Sequence, residues 1–363
     1  MSFLNKKIFN DSSSVFGLDL SDLSIKVVQI ENNGSTDNIS SYASVSLPSS
    51  CINDGEIQKK DQVVAAIKKA VEAASPNKIK SKRVICSLPE TKAFLRIISV
   101  PKMDESEIKE AVKWEMEANI PLPLEQVYYD WQLIPENLFP EKNKISLLVV
   151  AISKNVVDQA METLEMAGLS PVGFEIESIA QARSLLSEKD DEQTVLIVDI
   201  GDRRTSFSVN KGGVPCFTSS IPLCGQSLTD AISKGIGVPF EEAEKMKISY
   251  GIGSDFKNDA LFKLSKPILE NFVQEIEQSI DFYLTGLKYS KSIDKVIICG
   301  GGANTKGLVP YLSKKLGRVI EFGNPWVNMR LGKDLPTIEK SQSVQYSTAI
   351  GLALKGLHYE DLS

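Results

Sequence analysis

The stretch "VFGLDLSDLSIKVVQI", Val15 to Ile30, and a second one, "VLIVDIGDRRTSFSVN", Val195 to Asn210, decide how this 363-residue chain folds. Each is an apolar run ending in an aspartate, a short polar turn and another apolar run, the pattern of two antiparallel strands tightly joined. Set gaplessly on each other, "LDLSD" (Leu18–Asp22) and "VDIGD" (Val198–Asp202) both read apolar, Asp, apolar, small, Asp. A single Asp at a strand end is ordinary turn chemistry. Its recurrence half a molecule away predicts a duplicated unit: two similar sheets whose loops face one cleft.

Outward from the first hairpin come a strand, "ISSYASVSLP", and a helix, "DQVVAAIKKAVEAA", with Val64, Ile67, Ala70 and Val71 on one stripe. A different module follows: strands "RVICSLP" and "AFLRIISVP", helix "DESEIKEAVKWEMEANI", strands "VYYDWQLIP" and "ISLLVVAIS", and helix "NVVDQAMETLEMAG". It reads as an α+β insertion with helices on one sheet face. After "VGFEIESIAQARSLL" and the polar break "SEKDDEQ" the opening pattern returns, followed by strand-like pieces around "VPCFTSSIP". A long amphipathic helix is predicted from Pro267 to about Leu287, its stripe formed by Leu269, Phe272, Val273, Ile276, Ile280, Tyr283 and Leu284. Strand "KVIICGGGA", helix "GLVPYLSKKLG", strand "RVIEF" and helix "QYSTAIGLALKGL" complete the chain.

Composition narrows the chemistry. Apolar residues make up 42% and charged residues 24%, the balance of a soluble protein with ample core. The net charge of −6, with acids and bases interspersed, leaves no footprint for nucleic acid. The apolar run "ISLLVVAI" is too short to span a bilayer. Residues 1–14 lack the features of a secretory signal and read as a flexible tail. Phe3, Leu4, Ile8 and Phe9 beside Lys6 and Lys7 leave a membrane-touching role open for it. Five scattered cysteines without a CxxC indicate neither a zinc site nor a disulfide framework, and a reducing compartment. The one histidine, His358, removes two-histidine metal sites and Ser-His-Asp triads. Any catalysis rests on carboxylates, lysines, backbone amides or a bound metal.

"ICGGGANTKGL" places Gly300, Gly301 and Gly302 between a buried strand and a helix, where glycine lets a backbone approach a ligand closely. With the two Asp loops it makes three polar turns at the carboxyl ends of buried strands, the place where layered α/β proteins bind ligands. Neither GxxxxGK[ST] nor a strand-linked GxGxxG occurs.

"GLDLSDLSIKVV", "VDIGDRRTSFSV" and "GGGANTKGL" resemble the phosphate-1, phosphate-2 and adenosine motifs of the actin-like ATPase superfamily, which includes sugar kinases, heat-shock chaperones and FtsA. More closely, "KWEMEANIPLPLEQVYYDWQLI", "FTSSIPLCGQSLTDAI", "EEAEKMKISYG" and "EFGNPW" resemble stretches of the type IV pilus assembly family PilM, from about Val15 to Leu357. The resemblance implies an α/β, actin-like (ribonuclease H-like) duplicated fold with an α+β insertion subdomain. Its first actin-like subdomain would take residues 15–81, 170–190 and 344–358, and the insertion 82–169. The second would take 191–222 and 291–343, with a mainly helical subdomain, 223–290, closing over the nucleotide.

Carried over by residue, the resemblance implies ATP and Mg²⁺ as ligands. Asp19 and Asp199 would hold Mg²⁺ through water, and Glu177 and Asp199 are the catalytic candidates, Glu177 by orienting the attacking water. Lys26, Ser21, Ser24, Gly201, Asp202 and Thr205 would face the phosphates, Glu244 and Lys247 the ribose or adenine, and Gly300 to Gly302 the adenosine. The chemistry suits these roles, because two facing carboxylates favour a Mg-triphosphate over a bare anion. For Glu177 a capped surface helix is the competing reading, and for Lys247 a solvated charge. Two departures stand out. Ser21, Asp22 and Leu23 replace the Gly and Ser usual in the first loop, and Arg203 and Arg204 replace small residues in the second, where they either contact phosphate or point to solvent. The expectation is a nucleotide-binding scaffold with slow or absent hydrolysis, cytoplasmic and peripheral at the inner membrane, docking the N-terminal tail of the membrane protein PilN. Other platform proteins and self-association remain open as partners.

On helix "EIKEAVKWEMEANI", Ile108, Val112, Met116 and Ile120 form one stripe, and Trp114 lies about 240° from Ile108, off it. Trp114 is thus either a partner contact or packed against a neighbouring subdomain. An FtsA-like membrane tether and a small-molecule kinase are the alternatives. The first loses ground to the short acidic ending "LHYEDLS", the second to the absence of an aspartate-base motif.

Overall fold

The computed structural model describes residues 14–120, 122–252, 260–286, 292–331 and 338–357. The predicted N-terminal tail up to residue 13 and His358 lie outside them. Strands β1 (Phe16–Leu20), β2 (Ser24–Asn32) and β3 (Asp37–Ser46) form an antiparallel meander. A small hairpin, β4 (Ile52–Asn53) and β5 (Glu56–Ile57), leads into helix α1 (Lys60–Ala73) and strand β6 (Ser75–Pro76). Strand β7 (Arg83–Leu88) then pairs in parallel with β1.

The insertion follows as β8 (Ala93–Pro101), α2 (Glu105–Asn119), β9 (Val127–Leu133) and β10 (Lys144–Ser153), an antiparallel sheet of order β8-β10-β9. As its periodicity predicts, α2 buries Ile108, Val112 and Met116 against Ile98, Val100, Leu147 and Val149 of this sheet. Helix α3 (Lys154–Met166) and strand β11 (Ser170–Ile176) return to the first sheet, where β11 lies parallel to β7. Strand β7, grouped with the insertion in the sequence reading, therefore belongs to the first sheet. Its run of buried residues is covered on both faces, as expected for a central parallel strand.

Helix α4 (Glu177–Leu185) crosses to β12 (Thr194–Ile200), β13 (Thr205–Lys211) and β14 (Val214–Ile221), a second antiparallel meander. Helices α5 (Gly225–Ile236), α6 (Phe240–Tyr250) and α7 (Ala260–Asp281) come next. Strand β15 (Lys295–Cys299), α8 (Leu308–Leu316), β16 (Ile320–Phe322), the short α9 (Lys340–Ser343) and α10 (Ser347–Leu357) end the described chain. Helix α7 starts before Pro267, because Leu261, Phe262 and Ser265 are buried and their packing holds a first stretch that proline alone would disfavour.

The duplication is explicit in the topology. The first sheet runs β11-β7-β1-β2-β3-β6 and the second β14-β13-β12-β15-β16. Each has a three-strand antiparallel meander whose first strand is continued on its other side by two successive parallel strands, and this is the α/β actin-like architecture. Helices α4 and α10 cross at backbone contact: a Cβ on Gly351 would lie 1.9 Å from the Ala180 carbonyl oxygen, so only glycine permits the crossing. Beside it the buried Glu175 carboxylate accepts from Arg183 Nη2 at 2.8 Å and from Lys355 Nζ at 2.9 Å. Those cations hold Glu175 below its ordinary range although burial opposes them.

Candidate functional site

The β1–β2 register pairs Asp19 with Lys26, which places both side chains on one face of the sheet. Lys26 Nζ lies 3.3 Å from Asp19 Oδ2 and donates to Ser24 Oγ at 2.8 Å. Ser21 and Ser87 hydroxyls donate to Asp19 Oδ1 at 3.1 and 3.2 Å, and Ser87 Oγ accepts the Leu20 N–H at 2.8 Å. Ser87 comes from β7, the parallel neighbour of β1.

In the second hairpin the register pairs Asp199 with Ser206 and Ile200 with Thr205. Gly201 N–H bonds the Arg204 carbonyl at 3.0 Å and closes the turn. Asp199 Oδ2 accepts from Gln181 Nε2 at 2.6 Å, and the same amide nitrogen donates to Thr348 Oγ1 at 3.1 Å. Burial, with Asp19 close by, pushes the Asp199 carboxyl up to about 6, against the opposing pull of Lys26 and the Gln181 amide. Thr205, expected to face phosphate, is instead fully buried on the opposite face, and Ser206 lines the cleft. The period-two alternation of β13 is the reason.

The glycine turn closes over the second aspartate. Gly300 has φ +82°, and a Cβ there would lie 2.1 Å from Asp199 Oδ1. The same construction on Gly302 meets the Ile200 side chain at 2.4 Å, while Gly301 opens on the cleft toward Asp202. Asp202 itself is exposed, and its carbonyl accepts the Gln226 N–H at 3.2 Å.

These turns line one cleft of about 570 Å³ that also receives Ser21, Ser24, Glu177, Gln181, Glu244 and Lys247. Glu177 is the first residue of α4 and is half-buried at the cleft, not on the capped surface helix of the competing reading. Burial pushes its carboxyl well above the ordinary range, and Asp19, Asp199 and Glu90 add repulsion. Glu90 and Gln181 carry no sequence signal. Glu90 is buried at the root of the insertion, accepts the Ser178 N–H at 3.1 Å, and is raised by burial. Lys247 is not a solvated charge: it is buried, donates to the Gly225 carbonyl at 3.1 Å and lies 2.8 Å from Glu244 Oε2. The Thr229 hydroxyl also donates to Glu244, so α5 and α6 are braced at the rim of the cleft. Asp22 faces the β4–β5 hairpin and accepts the N–H groups of Asp54 at 3.2 Å and Gly55 at 3.0 Å. Trp114 does not line the cleft. At 69% exposure it is not packed against a neighbouring element either.

Acids outnumber bases along the cleft. Such a surface repels a bare polyanion and favours one that arrives with a divalent cation. Among the described residues no three acidic, histidine or cysteine side chains converge on a metal site. The donor set therefore suits Mg²⁺ that keeps waters and phosphate oxygens, with Asp19 and Asp199 as outer partners, rather than a cation caged by protein alone.

Two sheets of one topology, each offering an aspartate-ended hairpin to a shared cleft rimmed by a glycine turn, define an actin-like fold. Residues 17–357 match the family "Type IV pilus assembly protein PilM", and the chain belongs to that family. It is similar to a solved "PilM-PilN type IV pilus biogenesis complex" chain, with TM-score 0.79 and 27% identity over 95% of this chain and 98% of that one. MreB 5 of Spiroplasma citri bound to AMPPNP shares the fold at TM-score 0.57 and 13% identity, covering 97% of this chain and 98% of the other. Among curated proteins, the cell division protein FtsA of Bacillus subtilis is 23% identical over 388 residues, 94% of this chain and 83% of FtsA. FtsA of Neisseria meningitidis is 23% identical over 223 residues, 56% of this chain. The match takes in only 52% of that FtsA, so the chain spans about half the length of this relative.

Proposed function

We propose that the chain binds Mg-ATP in this cleft and serves as a cytoplasmic actin-like component of a type IV pilus assembly platform, its nucleotide state acting as a structural switch. In this reading it captures the N-terminal cytoplasmic tail of PilN and is peripheral to the inner membrane through that partner. The observation that carries the nucleotide part is the facing of Asp19, with its Lys26 partner, and Asp199, under the Gly300 turn, across one cleft. The PilN part is supported by the likeness to the solved PilM–PilN complex chain. No helix among the described residues is long and apolar enough to cross a membrane.

Within this reading, Asp19 and Asp199 orient the waters of Mg²⁺, while Lys26 and the backbone of Gly201 and Gly300 to Gly302 meet phosphate. Ser21, Ser24, Asp202 and Ser206 border the same space, and the α5–α6 brace at Glu244 and Lys247 faces the nucleoside. Glu177 is placed to orient a water. In the ligand-free chain burial and the neighbouring Asp19 and Asp199 push its carboxyl upward, and a bound cation would oppose that push. Slow or absent hydrolysis belongs to this reading, and a steady-state turnover near about 1 s⁻¹ would overturn that part of it.

Calorimetric titration of Mg-ATP into the purified chain tests the reading, with Asp19→Ala and Asp199→Ala as controls. Binding that disappears in both variants is the expected result. A folded wild-type chain that takes up no nucleotide would overturn it and leave a pure scaffold.

A further inference from the structure

We propose that Arg203 and Arg204 read the terminal phosphate of a bound nucleoside triphosphate, and that in turning to it they release the β4–β5 hairpin and the root of the insertion. This deepens the nucleotide-binding reading and rests on it. Both arginines sit in the β12–β13 turn and border the cleft, yet both reach across it to the β4–β5 hairpin or the segment leading into it. Arg203 donates to the Ile52 carbonyl at 3.2 Å and the Ser49 carbonyl at 3.1 Å, and lies 3.6 Å from Asp22. Arg204 lies 3.1 Å from Asp54 Oδ1 and donates to Ser220 Oγ at 3.2 Å. A turn of the second sheet is thus fastened to the separate β4–β5 hairpin that follows the first meander.

The hairpin is fastened onward. Lys92, immediately before β8, lies 3.5 Å from Asp54 Oδ2 and 2.8 Å from Glu56 Oε1. Asp54 is therefore shared between Arg204 of the second hairpin's turn and Lys92, the residue that leads into the insertion sheet. A change at the arginines changes what Asp54 and Lys92 hold.

Competition decides what happens when a triphosphate enters. The other two cations lining the cleft, Lys26 and Lys247, are already bound to partners in buried or nearly buried settings. The arginine pairs to Asp22 and Asp54 are part-exposed, a class of ion pair that is individually weak. A guanidinium meeting a phosphate forms a bidentate, charge-assisted contact, which is the stronger partner. The duplicated turns grip a phosphate chain from both sides, so the added charge of a triphosphate falls to Arg203 and Arg204. A diphosphate leaves them on the hairpin.

The test compares Mg-ATP and Mg-ADP by calorimetry on the full chain, for wild type and for Arg203→Gln/Arg204→Gln, with hydrogen exchange followed over residues 49–57. The double variant is expected to lose ATP affinity by at least roughly tenfold and ADP affinity by less than about threefold. In the wild type, exchange at the hairpin quickens with ATP and not with ADP. Equal losses for both nucleotides, or no loss, overturn the inference while leaving nucleotide binding intact. A wild-type chain that binds neither nucleotide fails at the underlying reading instead. Asp54→Asn gives an independent check, since asparagine accepts the φ of +51° at this position and only the anchor is weakened. It is expected to tighten ATP and leave ADP unchanged, and unchanged ATP affinity would sink the proposal.

Discussion

Asp19 and Lys26 are cross-strand partners held 3.3 Å apart, whereas Asp199, at the matching place in the second hairpin, faces Ser206. The backbone is duplicated and the charge is not. One hairpin pairs its aspartate with a lysine across the strands, and the other sets its aspartate opposite a hydroxyl while its arginines hold partners elsewhere.

Lys26→Met should therefore damage both hairpins. It leaves Asp19 buried without its cation and removes one of the two influences that lower Asp199. Breaking a largely buried pair costs about 3 kcal/mol. The expected outcome is a lower melting temperature together with loss of Mg-ATP binding by calorimetry. A variant with wild-type affinity would remove Lys26 from the nucleotide site.

Asp199 sets a pH dependence whose sign follows from its carboxyl lying at about 6 against an ordinary 3.8. Between those values the folded chain holds a proton that the unfolded chain has released. The stability from this group is thus full below about pH 4 and falls as pH rises through about 6. Asp199→Asn removes the penalty, on the order of 1–3 kcal/mol at pH 7. Glu177, raised well above its ordinary value by burial and in part by Asp199, declines in the same direction and is eased by the same substitution, so the difference between the two melting curves reports the coupled pair. The variant is expected to be the more stable at pH 7, equal to wild type at pH 4, and unable to bind Mg-ATP. An equal pH response in the two proteins would show that burial does not perturb Asp199.

What could be read from sequence was local. A strand, an Asp and a tight turn occupy neighbouring positions, so the two hairpins and the glycine turn were visible in a few residues each, and their repetition gave the duplicated fold. Ser87, Glu90 and Gln181 were not visible, because parallel pairing of β7 with β1 and the entry of α4 bring them to the cleft from distant positions. Thr205 was misplaced by one residue, which in a strand moves a side chain to the opposite face. Asp22, Arg203 and Arg204 looked like departures from a motif. Their partners lie in a hairpin that the sequence does not announce.

Gly300→Ala and Gly301→Ala separate folding from binding within a single turn. At Gly300 the φ of +82° and the 2.1 Å approach to Asp199 Oδ1 make any side chain strained. At Gly301 the nearest atom to an added Cβ is Asp202 Oδ1 at 4.0 Å. The first substitution is expected to destabilise the chain by about 1–3 kcal/mol, as strained backbone does. The second should leave the melting temperature near wild type and weaken nucleotide alone, because its methyl group projects into the cleft. Thermal unfolding and calorimetry on both variants check this, and equal melting temperatures for the two would contradict the geometry.

Trp114 tests where the partner sits. It lies on α2 with 69% of its surface exposed, off the stripe of Ile108, Val112 and Met116 that packs the insertion. Trp114→Ala should change stability by less than about 0.5 kcal/mol, as exposed substitutions do. Mg-ATP affinity should not move, since Trp114 is outside the cleft. If α2 contributes to the PilN-tail groove, truncating a tryptophan at its centre costs about 2 kcal/mol or more, close to thirtyfold in affinity. Fluorescence anisotropy of a labelled tail peptide is the measurement, and the thirtyfold loss is the expected outcome. Tail affinity equal to wild type, in a variant of unchanged stability, would move the groove away from this face of α2.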